Sequence, residues 1–165
     1  MVEREADLMM LLRRLDDPER LEWPRGYNRR EAAVLLQRLV ARLEDGFATL
    51  CPTEQDTQDS SEYGRVVIPA EATVCGTRIV VSLSKFGSLA LVSADNPGAF
   101  LGVEEAQAEG ELDAGDLAKA VQALTELGYV VVPEELLTSR YDGPSPLRWD
   151  GQWQPSWWDR FFGTF

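Results

Sequence analysis

The sequence predicts an α+β fold in one domain spanning residues 1–165: a mainly antiparallel sheet of about four or five strands with a β-hairpin at 77–93, packed by N-terminal helices, a helix at 113–127 and an aromatic C-terminal segment. Three observations carry this. Apolar residues recur at helical spacing in 3–15, 29–44 and 117–127, they alternate at a period of two in 77–93, and turn-forming residues separate the two kinds of stretch. A chain of 165 residues, 44% hydrophobic and 27% charged, also has enough apolar surface for one core and falls far from the composition of disorder.

Leu8, Met9, Leu11, Leu12 and Leu15 predict a short amphipathic helix that Asp16-Asp17-Pro18 ends. Asn28 is a good N-cap for a helix over Arg29–Glu44, where Ala32, Leu35, Leu36, Leu39, Val40 and Leu43 form one stripe and Glu31 stands three residues after the cap. Gly46 then reads as the stop, with Phe47–Cys51 leaving as a strand. Tyr63–Ile68 reads as a strand closed by Pro69. Thr77–Ser84 and Ser88–Ser93 pair across the turn Lys85-Phe86-Gly87, where glycine can take the left-handed conformation. One hairpin face, with Ile79, Val81 and Leu83, is core; the other reads as half apolar. Asp113 caps a helix carrying Leu117, Val121, Leu124 and Leu127, which Gly128 stops before a strand at Tyr129–Val132. Pro133 opens a short helical turn. Four of the five tryptophans stand near the C-terminus; Trp157 and Phe161 share one side of a helix over Ser156–Phe162, with Trp158 and Phe162 on another.

Several chemistries are hard to build from these residues. The chain has no histidine, which removes the commonest general base and transition-metal ligand, and with it the usual Ser-His-Asp and Cys-His arrangements. Cys51 and Cys75 lie too far apart in sequence for a zinc or thioredoxin-like pair and read as buried thiols. Neither a phosphate-cradling nor a dinucleotide-binding glycine motif occurs. No metal or cofactor is expected, and catalysis would fall to carboxylates such as Glu71, Glu104 and Glu105. No apolar run reaches membrane-spanning length, and the first residues lack a basic segment followed by an apolar one, so a cytoplasmic protein without a membrane partner is expected.

The formal charge of -12 is unevenly distributed. Arginines offset carboxylates up to Asp45, whereas Glu54, Asp56, Asp59 and Glu62 form one acidic cluster, and Glu104, Glu105, Glu109, Glu111, Asp113 and Asp116 form a second that contains no Arg or Lys. Both are expected in loops or at a helix start. Such segments keep a protein soluble; converging on one face, they would also steer a basic protein surface into contact and repel nucleic acid. The sites expected to contact that partner are Glu54, Asp56, Asp59, Glu62, Glu104, Glu105, Glu109 and Glu111. Two alternatives accompany this reading: a homo-oligomer assembled through the aromatic tail, and a carboxylate-dependent hydrolase.

Leu127-Gly128-Tyr129-Val130-Val131-Val132-Pro133-Glu134-Glu135, then Tyr141-Asp142-Gly143 and Trp157-Trp158-Asp159-Arg160-Phe161-Phe162, resemble uncharacterised bacterial proteins, some of which resemble immunity proteins of polymorphic toxin systems. The likeness is confined to residues 124–162. It implies charge-complementary binding to a basic toxin domain, and it transfers no binding residue.

Overall fold

The computed structural model describes residues 2–54, 60–147 and 154–163. Asp56 and Asp59, and Trp149, Trp153 and Phe165 of the tail, lie outside the described residues. Helices α1 (Val2–Leu15) and α2 (Arg29–Phe47) precede strands β1 (Thr53–Glu54), β2 (Glu62–Ile68), β3 (Ile79–Ser84) and β4 (Leu89–Ala94). Helices α3 (Val103–Ala108) and α4 (Ala114–Glu126) then lead to β5 (Val130–Val131), α5 (Glu134–Leu137) and α6 (Trp157–Phe162). The five strands form one sheet in the order β1-β2-β3-β4-β5, antiparallel except for the β4–β5 pair, which the α3–α4 crossover makes parallel.

Local chemistry sets most boundaries. The Asn28 side chain accepts the Glu31 N–H at 3.1 Å, and the Asp113 side chain accepts the Asp116 N–H at 3.1 Å, each satisfying an otherwise unpaired amide in a first turn. The Ser156 hydroxyl and Asp159 carboxylate form a capping box at the start of α6, with the Ser156 N–H donating to Asp159 at 2.7 Å. Gly46 does not stop α2: the helix runs on to Phe47, whose ring joins the core, and Ala48 takes the left-handed position at φ 52°. The expected strand at Phe47–Cys51 is therefore absent, and pairing begins at Thr53.

Helices cover both faces of the sheet. On one, Val66, Ile68, Ile79, Val81, Leu83, Ala90 and Val92 pack against Leu36, Leu39 and Leu43 of α2 and Ala120, Ala123 and Leu124 of α4. On the other, Leu89 and Leu91 meet Leu12 of α1 and Trp157, Phe161 and Phe162 of α6 around Phe86. All twelve residues of β3 and β4 are consequently buried, including the half-apolar face that carries Val80, Ser82, Leu91 and Ser93. The hairpin loop holds two left-handed residues, Gly87 and Ser88, rather than one. Gly87 is required twice over, by its φ of 58° and by the Leu15 side chain, which occupies the space a Cβ would need.

A buried ion pair ties the second layer to the chain between α1 and α2. Arg160 has no solvent exposure, and its Nε donates to Asp16 Oδ1 at 2.7 Å and to Ser145 Oγ at 3.1 Å. Its remaining N–H groups reach the Leu21, Asp17 and Arg20 carbonyls at 3.2, 3.0 and 2.9 Å, while its guanidinium lies 4.6 Å from the Phe86 ring centroid. Asp16 in turn accepts from the Tyr141 and Ser145 hydroxyls. Every polar group of this network has a partner, the condition under which a buried charge pair is tolerated.

Two buried carboxylates lack that degree of compensation. Burial raises the Glu62 and Glu134 carboxyls above their ordinary range, against the opposing pull of Arg65 on Glu62 and of the Gly98 N–H on Glu134. The folded protein thus holds their protons more tightly than the unfolded chain does. Stability must fall as pH rises from about 4.5 through their folded pKa values. Glu134→Gln keeps an acceptor for Gly98 and removes one of the two protons, so melting curves taken between pH 4 and pH 7 should show a shallower decline than the parent protein. An unchanged slope would reject this assignment.

Candidate binding surface

The structure separates the described members of the two acidic clusters that border β3. Glu62 pairs with Ser84 at the hairpin end of β3, whereas Glu111 accepts from the Thr77 hydroxyl just before the opposite end. The five steps of β3 alone place these ends about 17 Å apart. Among the described residues, Glu62 and Glu111 therefore stand at opposite ends of β3.

In the first cluster, Glu62 is already paired within the chain. Glu62 receives Arg65 Nε at 2.8 Å, and its side chain is only 13% exposed. Residues 62 and 65 would face opposite sides of a regular strand, but the register shift between Glu62 and Gly64 adds a residue and brings both to one side. Glu54 is exposed on β1, opposite Arg65 in the antiparallel register.

The second cluster divides by role and is not a loop throughout. Glu104 and Glu105 lie in the first turn of α3, a helix the sequence does not announce because its Gly102 cap offers no side chain. Glu104 and Glu109 are exposed and Glu105 is half-buried. Glu111, Asp113 and Asp116 instead serve the fold: Asp113 caps α4, Asp116 is buried and accepts the Val74 N–H at 2.8 Å, and Glu111 holds Thr77. Among the described residues no Arg or Lys forms an ion pair with Glu104, Glu105 or Glu109, while Asp16, Glu22, Glu62, Asp95, Glu126 and Asp142 are all so paired.

Two features beside α3 escape the sequence reading. The exposed Glu135 side chain from α5 lies against Gly102 and so adds another carboxylate to this edge. Leu101 immediately precedes that glycine and is 71% exposed; Val74, hydrogen-bonded to Asp116, is equally exposed. A large apolar residue left in water next to acidic ones was detectable only as a composition, since burial is a tertiary property.

Of the residues considered for carboxylate catalysis, Glu71 is exposed in a 3-10 turn at Ala70–Ala72 and Glu104 is exposed on α3. Among the described residues no group of three His, Cys, Asp or Glu could hold a metal ion, and no helix is long and apolar enough to cross a membrane. Both cysteines are free; burial pushes the Cys51 thiol up to about 11, and Cys75 is half-buried rather than buried as expected. No family model matches the chain, and no curated protein or solved structure matches it.

Proposed function

We propose that the chain is a protein-binding domain that engages a basic partner through the edge formed by α3 and α5. The observation that carries this reading is the set of carboxylates of the exposed Glu104, Glu109 and Glu135 and the half-buried Glu105, without ion pairs from the described Arg and Lys residues, on the edge that begins at the exposed Leu101. An apolar contact rimmed by charge of one sign is the pattern by which proteins combine affinity with electrostatic selection. The proposal narrows the expected site to the second acidic cluster, because Glu62 is already paired with Arg65. A basic toxin domain is the partner that the immunity-protein resemblance suggests, with inhibition following from occupation of its cationic surface.

The test uses an Arg/Lys-rich peptide with apolar side chains among its basic ones as the probe. Affinity should fall as salt rises from 50 to 500 mM, since interactions between exposed charges are screened over roughly 10 Å at 0.1 M. The triple variant Glu104→Lys, Glu105→Lys, Glu109→Lys should raise Kd tenfold or more and abolish that salt dependence. Binding indifferent to both changes refutes the assignment. The aromatic tail supports a self-association reading less well, because Trp157, Phe161 and Phe162 are buried within their own chain.

A further inference from the structure

Along the outer side of α2, Arg30, Val34 and Arg38 stand four residues apart and so form one line down the helix, about 12 Å long at 1.5 Å per residue. Val34 is 46% exposed, and both arginines are exposed. Together with Asn28, Glu31 and Leu35 they line a shallow hollow of about 540 Å³ that is open to solvent.

Among the described residues neither Arg30 nor Arg38 has an ion-pair partner, whereas Arg13, Arg42, Arg65, Arg78, Lys85 and Arg160 all do. Glu31 is the one carboxylate in the lining of the hollow, and two guanidinium groups against it leave the patch positive in a chain whose formal charge is -12. The face is thus an apolar strip bracketed by cations. Its complement is an apolar group bracketed by carboxylates.

The chain carries that complement itself. Leu101, 71% exposed, opens the edge that bears Glu104, Glu105, Glu109 and Glu135, and none of these four is paired with a described Arg or Lys. No ion pair among the described residues joins this edge to α2 within one molecule, so each surface offers to a neighbour what the other lacks.

We infer that the α2 hollow receives the Leu101 edge of a second copy of this chain, with Leu101 against Val34 and Leu35 and the α3 carboxylates facing Arg30 and Arg38. The contact joins different surfaces on the two copies. The inference rests on the reading of the α3–α5 edge as a site for a basic partner, and it makes that partner and the second copy mutually exclusive. With one leucine and one valine at its centre the contact belongs with small, transient interfaces, and Kd of about 0.1 mM is expected.

Sedimentation equilibrium of the full chain in about 0.15 M salt reads the association, because net charge is screened there beyond about 8 Å and charges in contact dominate. The mean mass should rise above 18.4 kDa as concentration approaches about 1 mM. The double variant Arg30→Gln, Arg38→Gln and the triple variant Glu104→Gln, Glu105→Gln, Glu109→Gln should each weaken association at least tenfold. Mixing the two should recover a 1:1 complex, since only the mixture holds one intact example of each surface. The glutamate variant also lowers the net charge, so relief of overall repulsion predicts the opposite sign. The Arg/Lys-rich peptide should dissociate the parent assembly and bind the arginine variant undiminished. A parent that stays at 18.4 kDa near 1 mM while binding the peptide overturns this inference and leaves the protein-binding reading standing. Peptide binding indifferent to the glutamate variant removes that reading itself. Undiminished association in either variant, a mixture that remains monomeric, or an assembly that the peptide leaves intact also overturns the inference.

Discussion

Replacing Arg160 with methionine should lower the free energy of unfolding by about 3–5 kcal/mol, the range observed when one partner of a buried charge pair is removed. The side chain is wholly buried, and its loss strands the Asp16 carboxylate in the same enclosed site. Methionine fills much of the volume and isolates the electrostatic effect. It also deprives the Leu21, Asp17 and Arg20 carbonyls of donors. For that reason the paired change Arg160→Met with Asp16→Asn should recover only part of the loss. Urea denaturation gives both values; a single-variant loss under 1 kcal/mol would show that the network contributes little.

Phe161→Ala should cost a similar amount, about 3–5 kcal/mol, by a different mechanism. Phe161 is completely buried, meets Phe86 edge-on with ring centroids 5.6 Å apart, and stacks on Trp157 at 6.1 Å. Truncation forfeits the burial and leaves a cavity that the sheet on one side and α1 on the other cannot readily close. Phe161→Leu should restore more than half of the loss. Hydrogen exchange distinguishes the layers: protection should fall first in α1 and α6, and later in α2 and α4, which occupy the other core cluster. Uniform loss across both layers would contradict that division.

What was legible in the sequence follows the reach of the interactions involved. Asn28 and Asp113 cap their helices through contacts three residues long, so local pattern suffices. The hairpin was equally plain from alternation and Gly87. Phe47–Cys51 misled because Gly46 and a following aromatic look like a helix stop and a strand, whereas the burial of Phe47 extends α2 by nearly a turn. Val80 and Ser82 read as part of a half-apolar face, and its burial was not legible, since the helices on that side of the sheet lie distant in sequence. The Arg160–Asp16 pair spans 144 positions and leaves no periodic trace.

The candidate surfaces divide the same way. An unbroken run of carboxylates at 104–116 is visible as charge, but only tertiary contacts show that Glu111, Asp113 and Asp116 are occupied in holding the fold. The bulge that lets Arg65 neutralise Glu62 depends on pairing with β3 and cannot be counted from spacing. Arg30, Val34 and Arg38 stand at helical spacing in the sequence, but only the fold shows that their side of α2 faces solvent.

Because Trp157, Phe161 and Phe162 cover the side of the hairpin that α2 and α4 do not, that side cannot be closed while the ribosome is still synthesising the residues between. The strands and their first helical layer are complete by residue 132, leaving Phe86, Leu89 and Leu91 with only α1 to cover them during the translation of about 30 further codons. Nascent chains stalled in that interval should therefore be chaperone clients, and release should follow once α6 has left the exit tunnel.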